Sequence, residues 1–140
     1  MTKVYGGHKR FELAVDKFEK YIEREVKRIV AETAEIIVTN AKSLAPVDDG
    51  SLKDSIEVTY MRGGLSALVT VGAHYGIYVE FGTGIYAVEG NGRKDPWVYW
   101  SKKLKRFVYT RGMKAQPFFF PALDVAEKHW KSELKKLGLR

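Results

Sequence analysis

The chain contains no cysteine in its 140 residues, which removes a disulfide framework, a thiolate metal site and a cysteine nucleophile together. It has only three histidines, His8, His74 and His129, far apart and in no metal-ligand spacing such as His-Glu-x-x-His. Each is read as a surface or packing residue, and no metal or cofactor is expected. No apolar run approaches the roughly 20 residues a membrane helix needs. Lys9 and Arg10 precede Phe11, but Glu12 and Asp16 interrupt the apolar stretch a signal peptide would require, so no secretion signal is read.

Catalytic signatures are also missing. Gly82-Thr83-Gly84 is followed by no Gly-Lys-Ser/Thr, and position 87 is Ala where a Gly-x-Gly-x-x-Gly loop needs glycine. The segment therefore reads as a tight turn that exploits glycine's backbone freedom. No serine lies in a Gly-x-Ser-x-Gly elbow. Glu80, between Val79 and Phe81, is the one carboxylate set in an apolar run. A general acid there would need a partner, and the turn acids Asp48, Asp49 and Asp54 offer no fixed geometry. A structural acceptor needs only backbone N–H groups, such as those of Gly82 and Thr83, and this is the role expected of Glu80. No enzyme class is supported.

What is present suits one globular domain over residues 1–140: 45% hydrophobic residues, with three Trp, eight Tyr and seven Phe, are enough to bury a core. From Phe11 to Leu44 the positions Phe11, Val15, Phe18, Ile22, Val26, Ile29, Ile36 and Leu44 recur at helical spacings, with Thr33 and Asn40 in register. At about 1.5 Å per residue that helix is about 50 Å long, too long for a domain with a radius of gyration near about 14 Å. It must break, or project and pack on something else. Ala45-Pro46-Val47-Asp48-Asp49-Gly50 stops it, and Asp48 or Asp49 is placed to cap a short helical turn through Ser51 to Asp54.

The period then changes to two. Ile56, Val58 and Tyr60, the turn Arg62-Gly63-Gly64, and Leu65 to Gly72 predict a β-hairpin. His74 to Glu80 fits a short helix or a strand. Residues 85–96 read as an exposed loop, Trp97–Trp100 and Arg106–Thr110 as strands around a basic connection, and Pro121 to Gly138 as a helix with Leu123, Ala126, Trp130, Leu134 and Leu137 on one face. The expected fold is α+β: a long N-terminal helix packed on a small antiparallel sheet, with a closing C-terminal helix. Val58, Val69, Val71, Val79 and Phe81 are the expected core.

The net charge of +7 is unevenly spread. Residues 9–42 carry eight basic and seven acidic side chains, residues 43–92 carry two and six, and residues 93–114 carry eight basic ones against Asp95 alone. Opposed patches of this kind suit a head-to-tail contact between identical subunits. The basic residues Arg93, Lys94, Lys102, Lys103, Lys105, Arg106, Arg111 and Lys114 are interleaved with Trp97, Tyr99, Trp100, Phe107 and Tyr109, the mixture a nucleic-acid-binding surface uses. No helix-turn-helix, zinc-finger or RNP motif accompanies them.

Three ordered segments carry a family resemblance. Ala45 to Ile56 resembles the A-P-V-D-T-G-x-L-x-x-S-I stretch of the phage head-tail joining and tail-component family through Pro46, Asp48, Gly50, Leu52, Ser55 and Ile56. Tyr75 to Thr83 is similar to its Y-A-x-Y-V-E-F-G-T stretch through Tyr75, Tyr78, Glu80, Phe81, Gly82 and Thr83. Ala115 to Leu123 is similar to its A-Q-P-F-L-R-P-A stretch through Gln116, Pro117, Phe118 and Pro121. The chain departs from the pattern at Asp49 for Thr, Gly76 for Ala and Phe119-Phe120 for Leu-Arg, and residues 85–114 have no counterpart.

The resemblance implies a non-enzymatic structural virion protein of a long-tailed phage or prophage, at the head-tail junction or tail end. It implies a homo-oligomeric ring, for which a hexamer is one form, that meets head-connector or tail proteins and forms in the host cytoplasm. DNA passing through such a ring would meet a basic lining only weakly. The alternative reading is a basic nucleic-acid-binding protein that uses residues 93–114.

Overall fold

The computed structural model describes residues 8–48 and 50–138, and Asp49 lies outside them. The long helix is unbroken: α1 runs His8–Leu44. It ends where Pro46 forbids continuation, with the Ala45 N–H closing the last turn on the Ala41 carbonyl at 2.9 Å. Next come the short α2 (Ser51–Asp54), the strands β1 (Ile56–Met61) and β2 (Ser66–Val71), and α3 (Gly76–Phe81). The strands β3 (Trp97–Ser101) and β4 (Arg106–Thr110) and the closing α4 (Phe119–Lys136) complete the order, so the class is mixed α+β as expected.

β1 and β2 pair antiparallel with Val58 opposite Val69 and Ile56 opposite Val71, which puts the β-branched residues on the face toward α1. The turn between them uses Gly63 and Gly64 at positive φ, as its sequence predicts. The segment after the hairpin resolves as the short helix α3. The expectation of one small sheet is corrected: among the described residues β3 and β4 pair only with each other, in a second two-stranded sheet.

α4 runs antiparallel to α1, because Glu32 meets His129 while Arg28, one turn earlier, meets Glu133, one turn later. Ala34 and Ala41 on α1 and Ala122 and Ala126 on α4 are all buried, and small side chains let two helices approach closely. The buried row of α1 is Val30, Ala34, Val38 and Ala41, continued by Ala45. It lies one residue on from the predicted row, about 100° round the helix. Ile29 is buried on both readings, but Leu44 is exposed. The alanines decided this, and alanine carries little hydrophobic signal.

The core joins Val38, Ala41, Ala45, Leu52, Ile56, Val79, Phe118 and Ala122. Of the expected core residues Val79 is buried, and Val58, Val69 and Val71 pack half-buried against it. Phe81 is corrected to a half-buried flank whose ring lies 5.7 Å from that of Phe120. Phe118, the largest fully buried side chain, takes the central place.

Candidate assembly surfaces

The three motif segments converge. Leu52 and Ile56 from the first, Val79 from the second and Phe118 from the third share one core cluster. Gly76 is buried among Val71, Leu52 and Phe118, where an added Cβ would lie 2.9 Å from Val71 Cγ1. Pro46, Asp48, Leu52, Tyr75, Tyr78 and Gln116 border a hollow of about 440 Å³ with Val79 and Met113. Main-chain bonds lock the second segment to the third: the Gln116 N–H donates to the Val79 carbonyl at 2.8 Å, and the Thr83 N–H to the Met113 carbonyl at 2.8 Å. The Thr83 hydroxyl accepts the Met113 N–H at 2.8 Å.

Glu80 is the acceptor the sequence suggested, with different donors. Its Oε2 accepts the N–H groups of Phe118 (2.8 Å) and Phe119 (2.9 Å), and its Oε1 that of Phe120 (3.1 Å). Gly82 and Thr83 donate elsewhere, to Tyr78 and Met113. A helix start leaves four N–H groups without partners. Here Glu80 takes three, and the fourth position is Pro121, which has none. A carboxylate also suits the positive pole of α4. Glu80 is 6% exposed, and this capping use of its oxygens is a structural duty.

The expected cap on α2 is corrected for Asp48, while Asp49 lies outside the described residues. Gly50, at φ 83°, occupies the N-cap position without a side-chain cap bond. Asp48 instead pairs with Lys103, so one contact between the acidic middle and the basic segment is made within a single chain. Ser55 turns its hydroxyl back to the Leu52 carbonyl at 2.7 Å.

The basic residues gather on and around β3–β4. The Arg93 guanidinium lies 5.5 Å from the Trp97 ring centroid and the Lys114 ammonium 5.9 Å from that of Tyr86. Lys94 donates to the Gly90 carbonyl at 3.2 Å. Lys102, Lys105, Arg106 and Arg111 are exposed. Strand alternation puts Val98, Trp100, Phe107 and Tyr109 on one face of this hairpin, and each is more than half exposed. A second apolar surface lies at the N-terminal end of α1, where Phe11, Val15 and Phe18 are exposed on one side.

A feature with no linear signal ties α1 to α4. Arg28 bonds Glu25 at 2.6 Å, Glu32 at 2.9 Å and Glu133 at 3.2 Å, and His129 meets Glu32 at 3.0 Å. Glu32, His129 and Glu133 offer ligand atoms within 4.8 Å of one another, yet Arg28 already bridges both carboxylates. Hydrogen bonding to Arg28 holds the Glu32 carboxyl below the usual range; for Glu133 the larger cause is Lys136, then Arg28. Carboxyls that titrate lower when folded stabilise the fold fully above their ordinary pKa of about 4.5, and that contribution is lost as pH falls through the depressed values. The urea midpoint should therefore fall below about pH 4.5, and less steeply in Arg28→Met; equal slopes would remove this network from the acid response.

The fold is that of a small α+β protein whose recognisable motifs build a core and a helix cap. A family model described as "Bacteriophage HK97-gp10, putative tail-component" matches residues 9–82, more than half of the chain, and the chain belongs to this HK97-gp10-like family of phage tail components. The match covers α1 through α3 and stops before β3, β4 and the third motif segment. No curated protein and no solved structure matches the chain.

Proposed function

We propose that this chain is a single-domain virion subunit at the head-tail junction or tail end of a long-tailed phage or prophage, acting in head-tail joining or tail completion as a homo-oligomeric ring. The family of residues 9–82 makes it a phage tail-related structural protein. The observation that carries the finer reading is the amount of apolar surface left open on a small chain, on α1 and on β3–β4, since contiguous exposed apolar patches mark interaction sites. The reading assigns no catalytic residue, cofactor or metal. The hollow bordered by Pro46, Tyr75, Tyr78 and Gln116 is open to neighbouring head-connector or tail proteins, and Lys102, Lys105 and Arg106 provide a weak, salt-sensitive lining for passing DNA.

Cells assembling the phage without this protein should accumulate filled heads and unjoined or misterminated tails by electron microscopy, with infectivity restored by the protein supplied in trans. Normal infectious particles in its absence would overturn the reading. The nucleic-acid alternative rests on the exposed Trp100, Phe107 and Tyr109 amid lysines and arginines. Replacing Lys102, Lys103, Lys105 and Arg106 together by Ala should abolish DNA retention on that alternative, and mainly disturb assembly on the ring reading.

A further inference from the structure

We infer that the N-terminal arm of α1 in one copy seats on the β3–β4 face of the next copy, a contact that rests on the ring reading and names its two surfaces. The arm is the part of α1 that α4 leaves uncovered. α4 ends at Lys136, one turn beyond the Glu133 that meets Arg28, so residues 8–24 extend about 25 Å past that contact at 1.5 Å per residue.

Two parallel rows run along this arm. Phe11, Val15, Phe18 and Ile22 follow the spacing 4, 3, 4, and Glu12, Asp16, Glu19 and Glu23 repeat it one residue on, about 100° round the helix. An apolar stripe thus has an acidic border on one flank, while Arg10 and Lys17 lie on the other. Asp16 and Glu23 hold Lys20 and Lys27 only in exposed pairs four residues apart, which are weak and exchangeable. The β3–β4 face has the opposite border: Val98, Trp100, Phe107 and Tyr109 are apolar, and Lys102, Lys105 and Arg106 rim its turn. The dimensions also agree. The apolar row from Phe11 to Ile22 spans about 16 Å, and a five-residue strand about 17 Å.

The two surfaces cannot meet within one chain. Backbone contact between Thr83-Gly84 and Arg111-Gly112 anchors the base of β3–β4, and its turn lies beside the C-terminal end of α1, where Lys103 meets Asp48, about 40 Å along a rigid helix from the middle of the arm. A surface at one end that fits a different surface at the other gives a heterologous contact, which closes into a ring when the rotation permits. Five exposed aromatics, Phe11 and Phe18 on the arm and Trp100, Phe107 and Tyr109 on the hairpin, together with Val15, Ile22 and Val98 would bury on the order of 1,000 Å², the lower bound for a specific interface. An isolated two-stranded hairpin is only marginally stable, so β3–β4 itself gains from being covered.

The test is a mixing experiment with Phe18→Glu on the arm and Phe107→Glu on the hairpin, both exposed positions at which far-UV circular dichroism should be unchanged. By light scattering after size exclusion, the unaltered chain should be a closed multimer and each variant alone a monomer. An equimolar mixture should give a one-to-one dimer and nothing larger, because a single arm–hairpin junction stays intact. The chain's lack of cysteine allows a check: Val15→Cys mixed with Tyr109→Cys should cross-link between copies. A multimer that survives both variants would overturn this contact and leave the ring standing on other surfaces. An unaltered chain that stays monomeric at every concentration would overturn it too. If Phe107→Glu then abolished DNA retention, the hairpin would be a nucleic-acid surface.

Discussion

Glu80→Ala is expected to lower the unfolding free energy by about 3–5 kcal/mol, because it strands several buried donors at once. The N–H groups of Phe118, Phe119 and Phe120 all end on this carboxylate, at 2.8, 2.9 and 3.1 Å. Water has little access, since Glu80 is 6% and Phe118 2% exposed. The loss also removes a negative charge from the positive pole of α4 and opens a small void beside Phe118. Glu80→Gln should recover only part of the loss, because the amide keeps one oxygen but turns an N–H donor toward the same donors. Urea denaturation measures both, and the melting temperature should fall by roughly 10–20 °C in the Ala variant. A change within about 1 kcal/mol, the size of an ordinary exposed cap, would mean that the three bonds do not hold α4.

Gly84→Ala should be nearly as damaging, at about 2–5 kcal/mol, for a different reason. Gly84 sits at φ 62°, and an added Cβ would lie 2.0 Å from the Arg111 carbonyl oxygen and 2.8 Å from Gly112 Cα. The encounter is mutual, with a Cβ on Gly112 falling 2.1 Å from the Thr83 carbonyl oxygen. Backbone lies on backbone here, and the Ile85 N–H bonds the Arg111 carbonyl at 3.1 Å. No side chain can swing aside to make room. Gly63 is the control: its φ of 64° is similar, but nothing lies within 4 Å of the added carbon. Gly63→Ala should therefore cost only the backbone preference, about 1–2 kcal/mol. Equal losses in the two variants would remove the close approach from the account. Limited proteolysis between residues 85 and 115 should accelerate in Gly84→Ala alone, since this contact anchors the base of β3–β4.

Local patterns settled the kind and order of most elements. The 3.6-residue period of 11–44, the Pro46 stop, the glycine turn at 62–64 and the two-residue period of 56–71 each act within a few residues. Their outcome depends little on the rest of the chain. The three motif segments were legible in the same way, and so was the structural role of Glu80, an acid in an apolar run with no catalytic partner. Its partners were not legible, because the first N–H groups of α4 lie 38 to 40 residues further along. The buried face of α1 shifted by one residue because Ala34 and Ala41 become core only opposite Ala122 and Ala126. Alanine has no such preference until a second helix is placed against it.

By itself, then, the sequence determined an α+β chain with a helix too long for its own domain and a basic aromatic segment near its end. Tertiary structure alone decided that β3–β4 stands apart from the first sheet, that Lys103 spends its charge on Asp48, and that Arg28 joins α1 to α4. It also decided that apolar surface stays open at opposite ends of α1. The reason is physical: periodicity records which faces want burial, whereas what covers a face depends on contacts between residues distant in the chain.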